Sequence, residues 1–188
     1  KLECALPRIE IAAVGPVMLK VAAEECDGVM LHGFCTRKYL EQAVMPRLEL
    51  GLDNSNRSRR RFEISGGGFV ATGADDEAVA KMFEWIRMRI GFYGSTPAYR
   101  PVLDCIGRGD LQDELNFMSK KGQWLEMAAR VDDDLLERIA VVGHRSQIAD
   151  KVRARCAGFA NRVSLVSPFA PDASLWSDIV EDLRRRPA

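Results

Sequence analysis

Short β-branched runs alternate with amphipathic helical stretches along this sequence. The first run ends at Gly15-Pro16, a dipeptide that stops a strand and can start a helix. Successive strand–helix units of this kind predict parallel strands joined by helices that pack outside the sheet. The clear predicted strands are residues 9–14, 28–32, 62–71 and 162–167, with a polar loop at 53–61 and a short apolar stretch at 139–142. The predicted helices are 17–26, 36–50, 75–92, 146–158 and 173–186, with Thr36 and Ser146 as caps.

The alternation stops between residues 93 and 136, where the sequence has no strand pattern. Short helical patches separated by Gly and Pro fill this segment, at 111–119, 123–130 and 133–138. A segment of this length inside an α/β repeat is usually an insertion with its own role. We therefore predict one α/β domain over 1–188 with a helical insertion at about 94–137.

Charge and cysteine content exclude several classes of protein. The 27 basic and 27 acidic residues cancel, so the chain has no general attraction to nucleic acid or to an anionic membrane surface. No apolar stretch approaches the roughly 20 residues that a membrane-spanning helix needs. Five cysteines without a CxxC pair favour a reducing cytoplasm and predict no metal site. Kinase and hydrolase motifs are also missing.

Four segments carry a family pattern: residues 11–19, with Gly-Pro after the strand; 22–32, with Asp27-Gly28; 92–103; and 140–143. The first two resemble the luciferase-like monooxygenase superfamily, and the last two resemble its branch of oxidoreductases that use the deazaflavin coenzyme F-420. The similarity extends over about residues 7–169. It implies a TIM-type (β/α)₈ barrel, of which this chain supplies the C-terminal half.

The length of the chain agrees with a half-barrel. A complete barrel takes about 250 residues, whereas this chain has 188, begins with Lys1 and offers four clear barrel strands. Four strands cannot close a barrel. We therefore expect the N-terminal half to be absent from this chain, to lie on another segment, or to be replaced by pairing between chains.

The turn after the first strand is the first candidate site, because TIM-barrel active sites lie at the carboxyl ends of the strands. The turn consists of Ala13, Val14, Gly15 and Pro16. Gly15 lets the backbone approach a ligand closely, and the N–H groups that start the next helix favour an anion. The resemblance implies that the flavin or deazaflavin phosphate region lies here. The alternative is a plain strand-to-helix turn with Pro at the first helical position.

His32 ends the second strand and is one of two histidines. It is a candidate to hydrogen-bond the cofactor and is the candidate catalytic residue, because an imidazole can donate a proton near neutral pH. The alternative is a structural histidine. The second histidine, His144, is expected in a surface loop.

The glycine run at residues 66–68 falls inside the third predicted strand, where glycine weakens packing. It marks a bulge, lets a ring system approach the backbone, or relieves crowding in the barrel interior. The spacing is not that of a dinucleotide-binding GxGxxG motif.

The insertion contributes a polar and aromatic group, Tyr93, Ser95, Tyr99 and Arg100. One interpretation is a lid over the mouth of the barrel, with Tyr99 and Arg100 contacting the substrate or the anionic tail of the cofactor. The other is a packed surface excursion that builds a dimer contact.

The resemblance implies an oxidoreductase fragment that binds coenzyme F-420 and transfers a hydride to or from a small organic substrate. One alternative is an FMN-dependent luciferase-like monooxygenase. Another is a non-enzymatic truncated barrel that serves as a cofactor-binding or dimerisation module. In each case we expect a cytoplasmic homodimer without nucleic-acid or membrane partners.

Overall fold

The computed structural model describes residues 7–73, 75–167 and 173–185. Its strands form one parallel sheet in which β2 lies between β1 and β3. The β3 strand is long enough to pair with β5 through residues 65–69 and with β4 through residues 70–71. The strands are β1 (Glu10–Ala13), β2 (Gly28–Leu31), β3 (Glu63–Ala71), β4 (Val141–Val142) and β5 (Arg162–Val166).

Helices connect the strands as the alternation in the sequence predicts. The helices are α1 (Pro16–Glu25), α2 (Arg37–Tyr39), α3 (Met45–Asn54), α4 (Asp76–Gly94), α5 (Arg100–Cys105), α6 (Gly109–Lys120), α7 (Trp124–Ala128), α8 (Asp133–Ile139), α9 (Arg145–Cys156) and α10 (Ala173–Arg185). A π-helical turn (Leu40–Val44) joins α2 to α3, and 3-10 turns occupy Arg59–Arg61 and Pro97–Tyr99. Arg186, the predicted end of the last helix, lies outside the described residues.

Side-chain caps fix where several helices begin. The Thr36 Oγ1 accepts a hydrogen bond from the N–H of Tyr39 at 3.1 Å, which confirms the predicted cap. The Ser146 cap is wrong. The α9 helix begins at Arg145, and the extended residue His144 occupies the cap position without a side-chain cap bond. Gly143, with a φ of 150°, turns the chain immediately before His144. The helix therefore begins one residue before Ser146.

At β1, β2 and the start of β3, helices cover one face of the sheet. Side chains alternate between the two faces along a strand, and one set, including Ala13, Val29 and Ile64, is fully buried in the main core. The other set includes Ala12 and Met30, which are exposed. Helical residues complete the core on the covered face, among them Leu19, Leu48, Ile86, Ile90 and Leu135.

The segment between β3 and β4 contains helices and no strand in the part that the structure describes. The α6, α7 and α8 helices match the three predicted patches. The α5 helix and the 3-10 turn before it are missing from the prediction, because Pro97 and Pro101 suggest a break in the chain. Both prolines instead lie in the first turn of their helix, where a missing N–H costs no hydrogen bond. The predicted loop at 53–61 is also partly wrong, because α3 continues to Asn54 and Arg59–Arg61 forms a turn of helix.

Backbone geometry explains the glycine run in β3. Gly67 and Gly68 have φ angles of 134° and 94°, which L side chains rarely adopt. A Cβ atom on Gly67 would lie 2.5 Å from the carbonyl oxygen of Ser164, and one on Gly68 would lie 3.1 Å from that of Gly33. Neighbouring backbone segments therefore require these glycines.

No helix in the described part of the chain is long and apolar enough to cross a membrane. Among the same residues, Cys26, Cys35, Cys105 and Cys156 are free thiols, and no group of three or more His, Cys, Asp or Glu could hold a metal ion. Cys4 lies outside the described ranges.

Candidate functional site

The turn between β1 and α1 leaves open space at the carboxyl end of the sheet. Gly15 is the N-cap of α1, and a Cβ atom built there would meet nothing within 4 Å. Pro16 begins the helix, and Val17 is 72% exposed. The first N–H groups of a helix have no partner within it and carry the positive end of the dipole. An anionic group therefore has both room and donors at this turn.

Only part of the predicted turn faces that space. The side chain of Ala13 is 3% exposed and belongs to the core, so its contribution to a ligand would come from the backbone. Val14 is half-buried. Gly15 has φ −84° and ψ 163°, which any residue can adopt. The backbone conformation therefore does not demand glycine at this position, in contrast to Gly67.

His32 lies against tyrosines from the insertion. Its ring centroid is 4.6 Å from that of Tyr93 and 4.9 Å from that of Tyr99. Phe34 packs on Tyr99 with centroids 5.4 Å apart, and Phe69 of β3 stacks on Tyr93 at 5.9 Å. The structure thus joins two groups of residues that the sequence singles out separately, the histidine at a strand end and the aromatic part of the insertion.

The protonation state of His32 follows from its surroundings. Burial lowers the pKa of the imidazole below its usual value, which favours the neutral ring near pH 7. The Nδ1 atom accepts a hydrogen bond from the N–H of Phe34 at 3.0 Å. In the neutral ring the proton is therefore on Nε2. His32 is equipped to donate a hydrogen bond through Nε2, whereas a full positive charge is disfavoured.

The loop that carries His32 is held by an arginine that the sequence analysis did not select. Arg155, near the end of α9, donates to the carbonyl oxygen of Cys35 and also to that of Arg138. Burial lowers the pKa of Arg155 and raises that of the neighbouring Cys35 to about 12. The thiol consequently stays protonated and is no nucleophile. The position of Arg155 in its helix does not indicate this role, because Cys35 lies on a strand-to-helix loop 120 positions away and Arg138 lies in another helix.

Arg100 does not join the aromatic group. Its guanidinium hydrogen-bonds the carboxylate of Asp113 at 2.8 Å and lies 3.6 Å from that of Asp104, so it ties α5 to α6. Ser95 is buried, and its hydroxyl donates to the carbonyl oxygen of Phe92 at 2.7 Å. Both residues brace the insertion in the structure, while Tyr93 and Tyr99 reach His32.

Comparison with known proteins identifies the family. A model described as luciferase-like monooxygenase matches residues 3–162. The chain belongs to the luciferase-like monooxygenase family. The resemblance that the sequence motifs indicate is thereby confirmed for most of the chain.

Relatives of this luciferase-like chain include an uncharacterized protein of Mycobacterium tuberculosis, 45% identical over 180 residues that make up 96% of this chain and 53% of the relative. A 5,10-methylenetetrahydromethanopterin reductase of Methanopyrus kandleri is 22% identical over 90% of this chain and 47% of the relative. One from Archaeoglobus fulgidus is 25% identical over 87% and 49%. The chain thus spans about half the length of the curated relatives it matches.

Solved structures support the fold of the luciferase-like chain. The coenzyme F-420-dependent tetrahydromethanopterin reductase from Methanopyrus kandleri superposes with a TM-score of 0.73 and 20% identity, covering 93% of this chain and 49% of that one. An F-420-dependent secondary alcohol dehydrogenase gives a TM-score of 0.65 at 13% identity over 96% and 48%. The α/β architecture with a parallel sheet is therefore close to that of a TIM-barrel reductase, which confirms the predicted fold class.

Proposed function

We propose that this chain is the C-terminal half of an oxidoreductase barrel that binds coenzyme F-420. The enzyme would transfer a hydride between the coenzyme and a small organic substrate. The coenzyme supplies a two-electron hydride carrier when bound, and the protein orients it and excludes water. Family membership and the reductases among the relatives support this proposal. Coverage of about half of each relative supports the expectation of a further half-barrel.

The proposal rests on two features that follow neighbouring strands. The turn at Gly15 after β1 has room and N–H donors for an anion, and the neutral His32 follows β2, which is hydrogen-bonded to β1. In this reading the α1 N-terminus would hold the phosphate of the coenzyme. The Nε2–H of His32 would donate to the coenzyme or the substrate, and Tyr93 and Tyr99 would fix the imidazole plane.

The same geometry suits FMN, which also carries a phosphate, and the description of the family model favours this second candidate. Binding experiments with the chain, and with the longer gene product if coding sequence precedes Lys1, separate the candidates. We expect saturable binding of F-420 without oxygen consumption after reduction. Tight binding of FMN with rapid oxygen consumption would favour the monooxygenase, and binding without any turnover in the longer product would favour a non-enzymatic module.

A substitution at Gly15 tests whether this turn binds the coenzyme. Gly15→Leu should weaken coenzyme binding at least tenfold, because the side chain would fill the space that the phosphate needs, while its backbone angles remain allowed. Isothermal titration gives the affinity, and thermal unfolding shows that the fold is retained. Leu50→Ala in α3, an exposed position, serves as the control. Unchanged affinity in Gly15→Leu would remove this turn from the site.

We also propose that the protein is a homodimer and that the insertion contributes to the contact. Large apolar side chains are exposed there, including Leu125 (75%), Phe117 (58%) and Trp124 (49%). Exposed apolar clusters of this kind often mark interaction surfaces. Sedimentation velocity over a range of concentrations measures the association, and a monomer throughout that range would contradict it.

A further inference from the structure

A second cavity lies beyond the carboxyl ends of β3, β4 and β5. It has a volume of about 1210 Å³ and is bounded by α4 and by the first residues of α9 and α10. Thr72 and Ser167, which follow β3 and β5, form its floor. None of its lining residues borders the small cavities around His32. The cavity is therefore separate in its lining from the site proposed for the coenzyme.

Within the described part of the chain, three polar atoms of this cavity wall are buried and have no hydrogen-bond partner. They are the Oγ1 of Thr72, the Nε of Arg145 and the Nε1 of Trp176. Thr72 is only 5% exposed. An indole Nε1 and a guanidinium Nε can only donate, and a threonine hydroxyl can donate as well. Buried donors are normally paired in folded proteins, so their concentration in one cavity indicates a ligand with acceptor atoms.

The charged groups around the cavity do not supply that acceptor. Asp178 is paired with Arg145 through Nη2 at 2.8 Å, which also fixes the position of the unpaired Nε. Asp76 lies 3.1 Å from the Nε2 of His144 at the rim. The α9 helix begins at the cavity without a side-chain cap, and its dipole adds a positive contribution there. Lys81 and Glu84 also line the cavity and carry opposite charges, so the unpaired donors and the start of α9 are the features that favour an anion.

The opposite wall is apolar. One face of α4 presents Met82, Trp85 and Met88, and α10 adds Leu175 and the indole ring of Trp176. Met88 is 41% exposed, so part of this wall contacts solvent. A ligand with a flat hydrophobic body would bury this surface, and methionine and tryptophan side chains suit aromatic bodies in particular.

We propose that this cavity binds a small organic anion with a flat apolar body. The anionic head would accept hydrogen bonds from Thr72, Arg145 and Trp176, and the body would lie between Trp85 and Leu175. This inference does not depend on the proposed coenzyme, because it rests on other residues.

A matched pair of fluorescent probes tests it. The first is 1-anilinonaphthalene-8-sulfonate, and the second is N-phenyl-1-naphthylamine, which has the same aromatic body without the sulfonate. Two of the three tryptophans line the cavity, whereas Trp124 does not, so energy transfer from tryptophan reports binding there. We expect saturable binding of the sulfonate at one site per chain and affinity at least fivefold weaker for the neutral probe.

Substitutions connect that binding to the cavity. Thr72→Val keeps the side-chain shape and removes the donor, so it should weaken the sulfonate at least threefold and leave the neutral probe unchanged. Trp176→Phe should also weaken the sulfonate at least threefold, and it should lower the affinity for the neutral probe by less, because the indole ring is also part of the apolar wall. Thr96→Val, the same change at a residue outside the cavity, should alter neither affinity. In the absence of probe, the melting temperature of Thr72→Val should be no lower than that of the parent, because the substitution removes an unpaired buried hydroxyl.

The outcomes separate the proposal from unspecific hydrophobic binding. Equal affinity for the two probes, or a sulfonate affinity that neither Thr72→Val nor Trp176→Phe changes, would overturn it. Near-ultraviolet circular dichroism of each variant shows whether the tertiary structure is intact, and two independent variants keep the test decisive if one fails to fold.

Discussion

The amino and carboxyl ends of the sheet differ in their charged contacts. At the amino end, Glu63 of β3 is ion-paired with Arg8 at 3.7 Å and with Arg162 of β5, although its Oε1 has no hydrogen-bond partner among the described residues. The Asp27 carboxylate accepts the N–H of Ile9 at 2.8 Å. At the carboxyl end, the turn at Gly15 faces open space, and the hydroxyl of Thr72 has no hydrogen-bond partner among the described residues.

This contrast indicates where the chain stabilises itself and where it can bind. Ion pairs at the amino end contribute to the folded state. A donor left unpaired at the carboxyl end reduces stability unless a ligand satisfies it. TIM-type barrels follow the same division, with chemistry at the carboxyl ends of the strands.

The largest expected effect comes from adding one methyl group inside the sheet. Gly67→Ala should destabilise the protein by about 3 kcal/mol or more, because φ is positive and the new Cβ atom would collide with the carbonyl oxygen of Ser164. Urea unfolding measures the change. Gly15→Ala, the same change at the open carboxyl end, should stay within about 0.5 kcal/mol of the parent. Similar losses in both variants would show that the turn at Gly15 is packed as closely as the middle of β3, which would contradict the open space described at the carboxyl end.

An intermediate effect is expected from the ion pairs at the amino end. Glu63→Gln should cost about 1–2 kcal/mol, because the carboxylate is largely buried while Arg8 and Arg162 are more than half exposed and partly solvated. Glu77→Gln removes an exposed pair with Lys81 and should cost less than about 0.5 kcal/mol. Chemical denaturation of the two variants side by side measures both values. A smaller loss for Glu63→Gln than for Glu77→Gln would show that the ion pairs at the amino end contribute less to stability than an exposed pair does.

The smallest expected effect is a dependence of stability on pH at the carboxyl end. Burial lowers the pKa of His32 in the folded protein below the value near 6.5 of the unfolded chain. Between these two pKa values the unfolded chain binds more protons, so the contribution of His32 is complete above pH 6.5 and declines as the pH falls toward the folded pKa.

Urea titrations from pH 5 to pH 7.5 check this sign. His32→Gln should remove the contribution of this residue to the change of the unfolding free energy with pH below pH 6.5. His144→Gln, at the exposed second histidine, is the control. A slope that His32→Gln leaves intact would place the titrating group elsewhere.

Local sequence patterns predict most elements because their causes lie within a few residues. The Thr36 cap needs only the N–H of Tyr39, three positions away. The apolar runs at β1, β2 and β3 need only the alternation of side chains. Proline at 97 and 101 misleads for the same reason, since one residue type both ends and begins helices.

The candidate site is less accessible to such patterns. The sequence singles out Gly15, His32, Tyr99 and Arg100 as separate candidates, and their roles as ligand contacts stay predictions. Only the tertiary structure brings Tyr93 and Tyr99 against His32 and directs Arg100 toward Asp113. A polar or aromatic residue on a helix carries no mark of which partner it meets.

By itself, the sequence determines the order of strands and helices, the helical insertion and the family, because periodicity and short motifs are local properties of the chain. Only the tertiary structure explains why β3 contains glycines, which residue supports the His32 loop and which donors remain unpaired. Those features depend on contacts between distant segments, such as that of Arg155 with Cys35 across 120 positions. Packing geometry sets such contacts, and no spacing along the chain encodes them.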